Sequence, residues 1–154
     1  MKLRFLPIKT AAAWALRSGV DAHGHPPETA GPSTGKDTPC RHCLRHVPAG
    51  HRYLIAAHRP FAGLNPYTET GPVFLCADDC PAGGPDFPAA MLTSPAYILR
   101  GYSADERIAY GTGAVTPTDR IEARCRELLA RPEVAFVHIR SAANNCFFCR
   151  VERG

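Results

Sequence analysis

"VAFVHIRSAANNCFFCRVE", residues Val134 to Glu152, consists of two extended runs, Val134 to Arg140 and Cys146 to Glu152, on either side of the polar connection "SAANN". Both runs are dense in Val, Ile and Phe, which suit a pleated, half-buried surface. The two asparagines between them tolerate positive φ, so the stretch predicts two antiparallel strands joined by a tight turn. Working outward, four further runs bounded by Gly, Pro or Asp read as strands: Arg52 to His58, Pro72 to Ala77, Ala96 to Tyr102, and Arg107 to Val115. The last two flank "SADE" like a second hairpin.

The helices are fewer. In "TDRIEARCRELLARP" the apolar residues Ile121, Cys125, Leu128 and Leu129 fall at i, i+4, i+7 and i+8, with Asp119 to cap and Pro132 to close. A shorter helix, Ala11 to Ser18, has Thr10 before it and Gly19 where a left-handed terminator belongs. Hairpin-linked strands outnumber crossover units, so the expectation is α+β: a single domain over residues 1–154, with a largely antiparallel sheet of about six strands and two helices packed against it. Residues 20–39 form a long Gly- and Pro-rich loop, of the kind that covers a site or stays mobile.

The totals narrow the class. At 154 residues, 45% hydrophobic and 21% charged, the chain has the size and composition of one globular domain. Its net charge of +4 comes from scattered Lys and Arg, without the basic block that tracks a phosphate backbone, so nucleic acid is not expected as a partner. Lys2, Arg4 and the alanines that follow imitate an export signal, but Pro7, Lys9 and Arg17 interrupt the apolar stretch, and no run approaches a membrane span. That predicts a cytoplasmic protein with no membrane association. Seven cysteines in a reducing compartment point to metal binding, catalysis or burial rather than a disulfide framework. GxSxG, HExxH and P-loop patterns are absent, and "GTGAV" at Gly111 to Val115 has no following dinucleotide helix. Asp78, Asp79, Asp105 and Glu106 read as solvated loop carboxylates.

Three kinds of site remain open. Cys40 and Cys43 form C-x2-C, extended by His46 to C-x2-C-x2-H, and two thiolates at that spacing converge on one Zn²⁺. Cys76 and Cys80 could supply two more ligands and complete a zinc-stabilised interaction module, although no glycine follows either member of the first pair to make a knuckle turn. Cys146 and Cys149 share the C-x2-C spacing, but along a strand residues three apart face opposite sides, so unless a bulge intervenes they cannot share a metal, and one turns to the core and the other to solvent or a cleft. Cys125 lies on the apolar stripe of its helix and reads as core. His138 and Arg140 share a strand face, and the length of the "SAANN" turn decides whether Cys146 joins them: a five-residue turn sets it opposite Arg140, a four-residue turn rotates it away. A thiol beside those cations would be a nucleophile, with Cys146 attacking and His138 as base, which makes a thiol-dependent enzyme the second reading. The first is a cleft for a small anionic metabolite near Cys40, Arg41, Tyr67, Arg140 and Cys146, in which the two guanidinium forks hold carboxylate or phosphate oxygens. The rigid turn "LNPYTETGPVF", with Pro66, Gly71 and Pro72 fixing the backbone, would present Tyr67.

Across "FLPI", "PCRHCL", "PYTETGPVFLCAD", "GYSADERIAYGTGAV", "AFVHIRSAANNCF" and "RVERG" the chain resembles a bacterial family known as domain of unknown function 1203. The resemblance carries no activity; it implies a single cytosolic bacterial domain whose pattern centres on Cys40, Arg41, Tyr67, Gly71, Pro72, Phe74 and Cys146. Many members resemble this chain with serine at the position of Cys43 and other residues at Cys76 and Cys149, so the resemblance directs interest to Cys40, Arg41 and Cys146.

Overall fold

A computed structural model describes residues 1–154. In chain order the elements are β1 (Leu3–Leu6), α1 (Thr10–Ser18), β2 (Glu28–Ala30), β3 (Pro39–Cys40), β4 (Arg45–His46), β5 (Tyr53–His58), β6 (Gly71–Cys76), β7 (Ala96–Tyr102), β8 (Ala114–Pro117), a 3-10 turn (Thr118–Arg120), α2 (Ile121–Leu129), β9 (Phe136–Ser141) and β10 (Phe147–Arg153). The class is α+β, as the sequence predicts, but the strands divide between two sheets of five, ordered β1-β10-β9-β7-β8 and β2-β5-β6-β3-β4. Every pairing is antiparallel except β3 with β6, which run parallel.

The sheets take up strands the sequence hid. β3 and β4 are two residues each, too short to show a period, and β2 sits inside the 20–39 loop, held to β5 by Thr29 opposite Leu54. The expected strand Arg107–Val115 is not continuous: Ile108 makes only an isolated bridge to Tyr102, and the partner of β7 is β8, Ala114–Pro117. The intervening turn is closed by the Thr112 hydroxyl, which donates to the Ala109 carbonyl and accepts from the Gly101 amide. Caps differ too. Thr10 lies within α1 and its hydroxyl is turned to His42, while Gly19 ends the helix without left-handed backbone, at φ −143°. Asp119 falls in the 3-10 turn and makes no capping bond to α2.

α2 lies across the first sheet and buries Ile121, Cys125, Leu128 and Leu129 against Leu3, Phe5, Tyr97, Leu99, Val137, Ile139, Cys149 and Val151. Each such Leu or Ile contributes ~1.5–3 kcal/mol on burial, more than a helix of this length gains from propensity. The second sheet packs Leu54, Ala56, Val73 and Leu75 with Ala13 and Leu16 of α1, and Phe147 of the first sheet reaches into that cluster. A bulge between Phe147 and Cys149 shifts the register of β10: Phe147 opposes Arg140, whereas Cys149 opposes Ile139. The inserted Phe148 joins the α2 side of the core while Phe147 faces the second sheet, so the bulge is where the two sheets meet.

Candidate metal centre

Cys40 ends β3, and the chain then turns through Arg41, His42 and Cys43 before returning as β4. The turn closes on Leu44, whose amide donates to the Cys40 carbonyl at 3.0 Å and whose φ is +56°. That is the position a glycine would hold in a knuckle turn. Left-handed backbone costs a non-glycine residue roughly 1–2 kcal/mol, and the leucine offsets it by burial, being 3% exposed in the main core. The missing glycine was therefore no bar to the turn.

β6 runs beside β3, Cys40 opposite Phe74, and delivers Cys76 to the same end. Cys80 follows from the loop beyond it. The four thiols of Cys40, Cys43, Cys76 and Cys80 lie within 4.8 Å of one another, with Cys40 to Cys80 at 3.9 Å and Cys43 to Cys76 at 4.0 Å. Tetrahedral Zn–S bonds of ~2.3 Å place sulfurs about 3.8 Å apart. This donor set could therefore hold a metal ion with little rearrangement. The thiols do not titrate independently: hydrogen bonds from their neighbours, foremost Cys43 onto Cys40 and Cys40 onto Cys80, push those two down, while Cys43 and Cys76 are pushed up chiefly by Cys40.

Outer partners orient the cluster. The Cys76 amide donates to Cys40 Sγ at 3.3 Å, Arg17 Nη2 donates to Cys80 Sγ at 3.1 Å, and His42 Nδ1 sits 3.2 Å from the same sulfur with its Nε2 on Thr10. Arg17 Nε also donates to the Cys76 carbonyl, which fixes the guanidinium over the site. Sequence reasoning missed Arg17 and His42. His42 lies between the first two cysteines and was visible in the motif; Arg17 is 59 residues from Cys76, and nothing local marks it. His46, the extension of the motif, turns away and meets Thr93 Oγ1 at 3.1 Å. The reason is register: His46 is on β4, opposite Pro39, one strand beyond the thiols.

The remaining candidates separate. Arg41 is 3% exposed; its Nε donates to the Phe147 carbonyl at 2.7 Å and Nη1 to the Pro39 carbonyl at 2.6 Å, with the guanidinium carbon 4.2 Å above the Phe148 ring. Desolvation pushes its pKa down to about 10. The side chain bolts the β3 turn to the β10 bulge and has no free fork to offer an anion. Arg140 is likewise committed, its Nη2 to Glu69 at 2.7 Å and its Nε to Asn145 at 2.9 Å. Tyr67 stands elsewhere, its hydroxyl 3.0 Å from that of Tyr110. The "SAANN" connection proves to be the four-residue form: the Ser141 amide donates to the Cys146 carbonyl, Asn145 takes φ +59°, and Cys146 turns away from the face of Arg140. Cys146 Sγ finds only the Asn144 carbonyl, at 3.6 Å, on the rim of a cleft of about 290 Å³ that Arg140, Glu69, Asn145 and the sequence-unmarked His58 also line. His138 makes no hydrogen bond to it or to anything else. The nucleophile and base of the thiol reading are thus not paired. Cys125 is fully buried, as predicted, with burial pushing it up to about 12, and of the Cys146 and Cys149 pair it is Cys149 that faces the core. Of the loop carboxylates, Glu106 is not idle: it accepts the Ala62 and Gly63 amides.

No helix is long and apolar enough to cross a membrane. The family model described as "Protein of unknown function (DUF1203)" matches residues 37–153, a span that holds all four clustered thiols. No curated protein and no solved structure matches the chain.

Proposed function

We propose that this chain, which belongs to the DUF1203 family, is a zinc-stabilised domain in which Cys40, Cys43, Cys76 and Cys80 enclose one Zn²⁺. The observation that carries the reading is the convergence of four thiols, from two segments brought side by side by the parallel pairing of β3 with β6, to within 4.8 Å. Thiolate donors select Zn²⁺ over the hard cations. Four of them fill a tetrahedral shell and leave no position for substrate, so the ion would be structural, locking the β3 turn to the end of β6. Arg17 would offset part of the surplus negative charge of a tetrathiolate, and the Cys76 amide would hold the Cys40 sulfur in place. The anion-cleft and thiol-enzyme readings draw no comparable support, since Arg41 and Arg140 are both engaged internally and His138 does not reach Cys146.

The test is elemental analysis of protein purified without added metal, together with cobalt substitution. One equivalent of zinc, replaceable by Co²⁺ with the intense thiolate charge-transfer and visible bands of a tetrahedral tetrathiolate, supports the reading. Metal-free protein of full thermal stability, or a mass lower by four hydrogen atoms that reports oxidation to two disulfides in place of the metal, sinks it.

A further inference from the structure

A second site lies away from the thiols. Between β1 with the segment leading into α1, the end of β5 and the face of β9–β10 opens a cavity of about 680 Å³, in the range that accommodates small-molecule ligands. Its walls include Ile8, Phe61 and Phe147, and beneath these rings, 0% exposed, is His138, which a ligand reaches when Phe61 or Phe147 turns aside. The imidazole is ringed by Phe61, Tyr102, Phe136 and Phe147, all with centroids within 5.2 Å, and neither ring nitrogen has a partner. Two unsatisfied buried nitrogens on one side chain are costly, and a position that needed only bulk would be better filled by phenylalanine. Arg100 and Arg150 oppose His138 across the strands and Arg140 lies two residues along the same face, so desolvation, helped by these three cations, keeps the ring neutral. A neutral imidazole presents one donor and one acceptor, the complement of a hydroxyl group.

The rim carries a different chemistry. Of the charged residues that line the cavity, Arg150 is paired with Glu152, and Glu106 is occupied by backbone amides. Arg4, Lys9 and Arg59 form no salt bridge and outnumber Glu106, which leaves a net positive mouth over apolar walls and a hydrogen-bonding floor. We propose that this cavity binds a small amphipathic carboxylate that carries a hydroxyl group at the end remote from its charge, with the hydroxyl on His138, the apolar body against Phe61 and Phe147, and the carboxylate at Arg59 and its neighbours. The proposal does not rest on the zinc reading: Ile8 and Phe147 share a core cluster with Cys40 and Cys76, but the groups that would hold the ligand, His138 and Arg59, make no contact to the thiols.

The test uses pairs that differ only in the hydroxyl: 4-hydroxybenzoate against benzoate, and 10-hydroxydecanoate against decanoate, titrated into the metal-replete full chain by calorimetry. In at least one pair the hydroxylated member should bind about tenfold more tightly or better, His138→Phe should abolish that preference, and Arg59→Ala should weaken both members alike. Long-range ¹H–¹⁵N spectra of the wild type give a reading that needs no variant to fold: the His138 ring nitrogens should shift with the hydroxylated probe and not with its partner. Absence of binding by all four probes, a preference that survives in His138→Phe, or ring-nitrogen resonances unmoved at saturation each overturns the proposal.

Discussion

Removing Arg41 tests whether a buried arginine in a cysteine-rich turn holds the fold together or waits for a ligand. Burial pushes its pKa from 12.5 down to about 10, so desolvation of the charged guanidinium opposes folding. Against that stand two charge-assisted bonds to carbonyls at 2.6 and 2.7 Å, and the face of Phe148 at 4.2 Å. Each bond contributes ~1.5–3 kcal/mol and the stacking ~0.5–2 kcal/mol, which offsets that cost in the folded state. Arg41→Ala is expected to lose roughly 2–4 kcal/mol, the larger part because the Phe147 carbonyl loses its charged donor and the Phe148 ring its stacked partner. For a chain of this length about 3 kcal/mol lowers Tm by roughly 6–12 °C. Arg41→Lys should recover less than half of the loss, since an ammonium cannot span two carbonyls while lying flat on a ring. Urea denaturation with zinc held in excess measures it. A loss below about 1 kcal/mol at unchanged m-value would refute the reasoning and return Arg41 to the ligand-binding candidates.

Other outcomes follow from the same geometry. Leu44→Gly relieves left-handed backbone worth ~1–2 kcal/mol but removes a leucine whose loss from a core costs ~2–5 kcal/mol, so the variant should be less stable by denaturant titration, and a stabilised one would contradict the account of the turn. Burial, abetted by Arg41, pushes His58 down to about 4, and burial also holds His138 well below its ordinary value. The unfolded chain therefore binds more protons than the folded one below pH ~6.5; the stability these two residues contribute is present above that pH and drains as pH falls toward about 4. His58→Phe should flatten the pH slope of Tm in that window, and an unchanged slope would count against burial as the cause. In the zinc-loaded protein iodoacetamide should label Cys146 first; a strong chelator should then expose Cys40, Cys43, Cys76 and Cys80, while Cys125 and Cys149 should react only on unfolding. Peptide mass spectrometry reads the order, and early labelling of Cys80 in untreated protein would argue against a filled tetrathiolate.

Local chemistry determined what depends on neighbours in the chain. The period of Ile121, Cys125, Leu128 and Leu129 placed α2, the β-rich runs placed β5, β6, β7, β9 and β10, and Asn145 marked the turn that now has φ +59°. The C-x2-C of Cys40 and Cys43, with Cys76 and Cys80, was legible as a donor set because ligand spacing within each segment is a local property. Tertiary structure decided what depends on partners far away. Whether those two pairs meet rests on the parallel contact of β3 with β6, and two-residue strands leave no period to read. The fate of the arginines was equally hidden: nothing near Arg41 announces the carbonyl of Phe147, which lies 106 residues on, and nothing near Arg140 announces Glu69. One residue of turn length, and one inserted at the bulge, set which face Cys146 and Phe147 take, because a strand's two-residue period converts any single-residue slip into a change of side.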